Sequence, residues 1–165
     1  MPKKSIAHSE LSASTLRHFR VIFNSVKSHF QSIEKHAGIG GASIWALSII
    51  QQSKVVTIKK LASEMDIQQS TASNLVKGLL TLEYVSIEKD TVDRRISNLT
   101  ITEAGKKILK RAPGPFSGVL PSAISQLDEQ TLIELNKNLA RLVKRISADT
   151  KSQAIPLANL FKKDA

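Results

Sequence analysis

Two clusters of polar side chains in the middle of the chain have the chemistry to read a nucleic acid. The first is Gln68, Gln69, Ser70, Thr71, Ser73, Asn74 and Lys77. Side-chain amides can pair with adenine in a major groove, and short hydroxyls can bond to bases or phosphates. The second cluster is Asp93, Arg94 and Arg95. An arginine at a hairpin tip can enter a narrow minor groove, where negative potential is focused. A carboxylate two residues earlier can hold that guanidinium in place. Each cluster also has a plainer reading. The first could be a solvated helix face, the second a surface ion pair worth little.

The neighbouring elements decide how these groups are presented. Thr57 is a good N-cap, because its hydroxyl can accept a bond from an unpaired backbone N–H. Behind it Ile58, Leu61, Ala62 and Met65 recur at helical spacing. This helix is expected to end near Met65–Asp66, and Asp66 tolerates the turn required there. Ile67 then fills the angle before a second helix, which begins near Gln69. Ala72, Leu75, Val76, Leu79 and Leu82 form its apolar side, opposite the first polar cluster. Gly78, inside it, costs about 1 kcal/mol against Ala. Val85 to Glu88 is β-prone, with Val85 and Ile87 on one side. Residues 89–93 are turn-like. Ser97 to Ile101 alternates again, with Leu99 and Ile101 inward. Helix, tight break, helix and hairpin is the order of a winged helix-turn-helix, whose usual ligand is DNA.

The run Asp93-Arg94-Arg95, followed by Leu99, Ile101, Thr102 and Gly105, resembles the D-x-R…L-T-x-x-G signature of the MarR family of bacterial transcriptional regulators. LASEMDIQQSTASNLVKGLL is similar to that family's helix-turn-helix. In order of elements the resemblance covers residues 10 to 147. It implies a mainly α fold with a small β-hairpin wing and long N- and C-terminal dimerisation helices. It also implies a homodimer on a double-stranded, pseudo-palindromic operator. Repression released by a small aromatic, phenolic or drug-like effector is the family default. By resemblance Arg95 is the minor-groove arginine, Asp93 its orienter and Arg94 an auxiliary contact. Ser70, Thr71, Ser73, Asn74 and Lys77 fall on the recognition helix. The family's effector pocket lies between the first, second and fifth helices, which makes Trp45 a candidate pocket wall. The chain departs from the family at Asp66 and Glu83, where Gly is frequent, and at Gln68, where a better N-cap is common.

Composition narrows the partners. The 165 residues fit one domain with a sizeable core. Residues 42–111 form the expected DNA-binding region, and residues 9–36 and 116–165 the dimerisation helices and tail. The formal net charge of +10 favours a polyanion. The excess is spread along the chain, and alone it would fit DNA, RNA or an acidic membrane. There is no long apolar run to span a membrane and no signal-peptide core at the N-terminus, so a cytoplasmic protein is expected. The absence of cysteine excludes disulfides, thiol redox sensing and cysteine metal sites.

Outside the reader, Leu11, Leu16, Phe19, Ile22, Phe23, Val26, Phe30 and Ile33 predict a long helix from about Ser9 to His36. Residues 1–8 are read as frayed. About 27 residues of helix span roughly 40 Å, long enough to call for a second subunit. His8, His18, His29 and His36 show no four-residue spacing, so no metal is expected. Gly38 to Gly41 breaks the helix, and Ala42 to Gln52 forms the next, with Trp45 read first as core. Ser53 to Val56 is a connector that could pair as a minor strand with the wing. Thr102 caps a helix from Glu103 to about Arg111, whose Lys106, Lys107, Lys110 and Arg111 form a basic exit. Pro113 and Pro115 predict a break, with a helix resuming near Phe116 to Gln126. Asp128 caps a last helix, Glu129 to about Ile146, striped with Leu132, Leu135, Leu139, Leu142, Val143 and Ile146. Ile155, Leu157, Leu160 and Phe161 give the tail one more amphipathic turn.

A winged helix can also serve as a protein-interaction adaptor that reads no DNA. The amide-rich face and the paired arginines argue against that reading. No nucleophile with a base, phosphate loop or metal cluster is legible, so neither an enzyme nor a cofactor is expected.

Overall fold

The computed structural model describes residues 3–53, 55–89 and 97–146. The chain runs α1 (Lys3–Ala37), α2 (Gly41–Gln52), α3 (Ile58–Glu64), α4 (Gln69–Thr81), β1 (Val85–Lys89), β2 (Ser97–Ile101), α5 (Glu103–Arg111), α6 (Val119–Ile124) and α7 (Glu129–Ile146). It is mainly helical, with a two-stranded antiparallel hairpin.

Helix α2 is the centre of the packing. It is apolar on nearly all sides, and a helix of that kind belongs inside a fold. It touches α1, α3, α4, α5 and β2. Its Ile44, Ala46, Leu47 and Ile50 share one core with Ile33 and Ala37 of α1, Leu61 of α3, and Met65 just beyond α3. Val56 before α3, Val76 and Leu79 of α4, Val85 of β1, Leu99 of β2, Leu109 of α5 and Ala112 just beyond it complete it. Gly41 opens α2 against the ring of Phe30, where a Cβ would collide. Trp45 is packed against this core but only half-buried, not the core residue first expected.

Local chemistry fixes the joints. Thr57 Oγ1 accepts from the N–H of Lys60 at 3.1 Å and starts α3. Asp66 and Glu83 both take positive φ, 50° and 57°. These are the two positions where the resemblance expects Gly, and here polar side chains carry the left-handed turns. Thr102 Oγ1 accepts from the N–H of Gly105 at 3.1 Å and donates to the Glu83 carbonyl at 2.7 Å. One threonine therefore starts α5 and ties it to the turn that ends α4. Asp128 starts α7 by accepting from the N–H and the hydroxyl of Thr131, at 2.9 and 2.7 Å. Both contacts hold its carboxyl below the usual carboxylate range.

Several sequence expectations shift. Helix α1 begins at Lys3, not Ser9, because nothing between Lys3 and Ala37 breaks a helix. The resumed helix is Val119–Ile124 alone, shorter than expected at both ends. Residues 112–118 stay extended or turned, and His29 of α1 bonds the Pro115 carbonyl at 2.9 Å. The connector before α3 adds no third strand among the described residues. It does supply the Val56 carbonyl, which accepts from the N–H of Leu99 at 2.7 Å.

Candidate nucleic-acid interface

The reading face is built by burying the other side of α4. Ala72, Val76 and Leu79 are buried, and Leu75 and Leu80 pack partly against the core. Leu82, expected on that side, is 48% exposed, because it caps the helix where the chain turns away. On the outer side Gln68, Gln69, Ser70, Asn74 and Lys77 are exposed, and Thr71 and Ser73 are half-buried. Their chemistry differs in availability. The Ser73 hydroxyl donates to the Gln69 carbonyl at 2.8 Å, so its proton is already used. Gln68 begins the helix without a side-chain cap bond, which leaves its amide uncommitted. Ser70 and Asn74, one turn apart, share the outer face with Lys77. Gly78 continues the line from Asn74, and a Cβ there would meet open space.

The hairpin stands beside this face. Val85 pairs with Ile101, Ile87 with Leu99, and Lys89 with Ser97. Only its base is anchored: Val85 and Leu99 are buried, and Ile87 is 45% exposed. The alternation of β1 expected Ile87 inward, but the strand outruns the core after its first residues. β1 ends at Lys89 and β2 begins at Ser97. Asp93, Arg94 and Arg95, the wing-tip residues expected to enter the minor groove, lie outside the described residues.

The basic exit on α5 is partly neutralised. Lys106 pairs with Glu103 at 2.7 Å, and this contact holds the Glu103 carboxyl below its ordinary range. Lys107 and Lys110 add to that lowering.

Concave surfaces also lie outside the reader face. An apolar groove of about 550 Å³ runs between α1, α6 and α7, lined by Phe19, Ile22, Leu120, Ile124, Leu139 and Leu142 among others. A smaller cavity of about 290 Å³ is lined by Trp45, Ser48, Ile49 and Gln52 of α2, Glu64 of α3, and Phe116 and Ser117 of the connector. Trp45 thus does line a cavity. Sequence reading missed Glu64, Phe116 and Ser117 because only the fold brings these distant positions together. Among the described residues no group of acidic, histidine or cysteine side chains could hold a metal ion. No described helix is long and apolar enough to cross a membrane.

The comparisons agree with this architecture. The MarR family model matches residues 42–97, from α2 to the start of β2. Staphylococcus aureus MepR in complex with DNA superposes with a TM-score of 0.55 at 21% identity, covering 78% of this chain and 93% of that one. The transcription regulator MarR from Oenococcus oeni gives 0.55 at 22%, covering 78% and 97%. The transcriptional regulator BldR from Sulfolobus solfataricus gives 0.52 at 22%, covering 82% and 96%. No curated protein matches the chain.

Proposed function

From the premise that residues 42–97 form a MarR-family winged helix, we propose that this chain is a sequence-specific, double-stranded DNA-binding transcription regulator. The observation that carries the reading is the outer face of α4. Gln68, Gln69, Ser70, Asn74 and Lys77 stand exposed along it, with Thr71 and Ser73 half-buried beside them, and the row is held rigid because the opposite face is locked into the core. Such a helix can be laid in a major groove as a unit. The likeness to MepR, whose structure contains DNA, supports the same use.

The proposed working form is a homodimer. Leu11, Leu16 and Phe23 of α1 and Leu135, Leu139, Leu142 and Val143 of α7 are exposed in the single chain. A second copy would bury them. A two-fold pair of readers calls for a pseudo-palindromic operator with half-sites one helical turn apart, about 34 Å. The proposed mode of action is repression, released by a small effector at the Trp45 cavity. Asp93, Arg94 and Arg95 are assigned to the minor groove on sequence grounds.

Fluorescence anisotropy on a selected duplex, titrated with salt, tests the reader. Arg95→Ala should weaken binding to all sequences and reduce the salt slope by about 1. Asn74→Ala should lose about 1–3 kcal/mol of discrimination at one base position. If both variants bind as the parent does, the assignment of this face fails.

A further inference from the structure

We propose that the cavity lined by Trp45, Phe116 and Glu64 takes a small organic cation, an inference that rests on the effector-released regulator above. The cavity of about 290 Å³ presents mostly polar surface, with Trp45, Phe116 and Ile49 among its lining residues. Its one charged side chain is the Glu64 carboxylate, and among the described residues no lysine or arginine lines it. Glu64 makes no ion pair with any described residue. Of the hydroxyls, Ser48 is already spent, donating to the Trp45 carbonyl at 2.7 Å.

The backbone adds the same sign. Gln52 and Glu64, both lining residues, are the last residues of α2 and α3, and neither helix has a basic residue in its last turn. Helix C-termini carry partial negative charge. A cation over an indole face is attracted by the ring quadrupole. An aromatic acid would bring its carboxylate beside Glu64, where like charges repel. The site therefore disfavours an aromatic acid.

Its position gives binding a consequence. Glu64 ends the first helix of the reader, while Phe116 and Ser117 belong to the connector leading to α6 and α7. A ligand held by both is placed to shift one against the other, and so to change operator affinity.

Trp45 is the only tryptophan in the chain, so its fluorescence reports on this cavity. The full chain is titrated with benzyltrimethylammonium and, at matched ionic strength, with benzoate. The cation should give a saturable change and benzoate a response at least roughly tenfold weaker. Glu64→Gln should weaken the cation roughly tenfold, equivalent to about 1.4 kcal/mol, with Tm unchanged. Equal responses to cation and anion, or a Glu64→Gln variant that binds the cation as the parent does, would overturn the inference. Duplex affinity without probe is measured on the same preparation. Duplex binding without cation preference removes only the cavity assignment, and no duplex binding removes the regulator reading.

Discussion

The reader (α3, α4 and the hairpin) and the stalk (α1, α6 and α7) are made of the same kinds of residue and end in opposite states. In the reader, Leu61, Val76, Leu79, Val85 and Leu99 are all buried within one chain. In the stalk, the same regular leucine spacing on α7 leaves Leu135, Leu139 and Leu142 each more than a third exposed, and no residue of α7 is buried. Apolar residues recur at helical spacing in both. The difference is what each stripe meets. The reader closes on α2, while α7 stands against an open groove. An apolar stripe therefore shows that a partner surface is needed. Only the fold shows whether the chain supplies it.

The contrast can be broken by paired truncations. Leu61→Ala should cost about 2–5 kcal/mol of stability, by loss of buried area and creation of a cavity. That loss should not depend on protein concentration. Leu139→Ala should change the fold of the single chain little and raise the self-dissociation constant instead. Sedimentation combined with denaturant titration at several concentrations separates the two. A Leu139→Ala variant that loses stability equally at every concentration would mean that the stalk is closed within one chain.

Smaller substitutions sharpen the picture inside the reader. Thr102→Ala removes both the α5 cap and the bond to the Glu83 carbonyl. It should cost about 1–2 kcal/mol in urea melts. Gly78→Ala should move the other way, adding about 1 kcal/mol, because helix propensity improves and nothing stands in the way of the new methyl. A destabilised Gly78→Ala would show that the outer face of α4 is less open than described.

The smallest effect is pH dependence. Asp128 and Glu103 have folded-state pKa values below their ordinary range, through Thr131 and Lys106 respectively. The stability they contribute is present above the ordinary carboxylate range and is lost as pH falls through the lowered folded values. Acid melts of Asp128→Asn should therefore show a slightly shallower decline than the parent.

Much of this fold was legible because its joints are chemical. Thr57, Thr102 and Asp128 announce themselves as hydroxyl or carboxylate caps, and each makes the bond expected of it. The start of α4 at Gln69 followed from the apolar rhythm after Ile67. The exposed face of α4 was legible for the same reason, since fixing the buried side fixes the other. The misreadings occur where alternation continued past the supporting core. Ile87 keeps the strand rhythm after β1 has left the interior, and Leu82 keeps the helix rhythm at its cap. The helix after the prolines was expected but its bounds were not legible, because two prolines announce a break and do not say how long it lasts. The actual restart follows Gly118, at φ 103°. Of the cavity only Trp45 was named in advance, by resemblance, since Trp45, Glu64 and Phe116 share no period.

The central claim is that two linked copies of this α4 face read duplex DNA. Selection of bound sequences from a random duplex pool tests it most directly. The account predicts enrichment of two inverted half-sites, their centres about one helical turn apart. A pool with no enriched sequence, or one enriched in a single half-site bound by one chain, would contradict it.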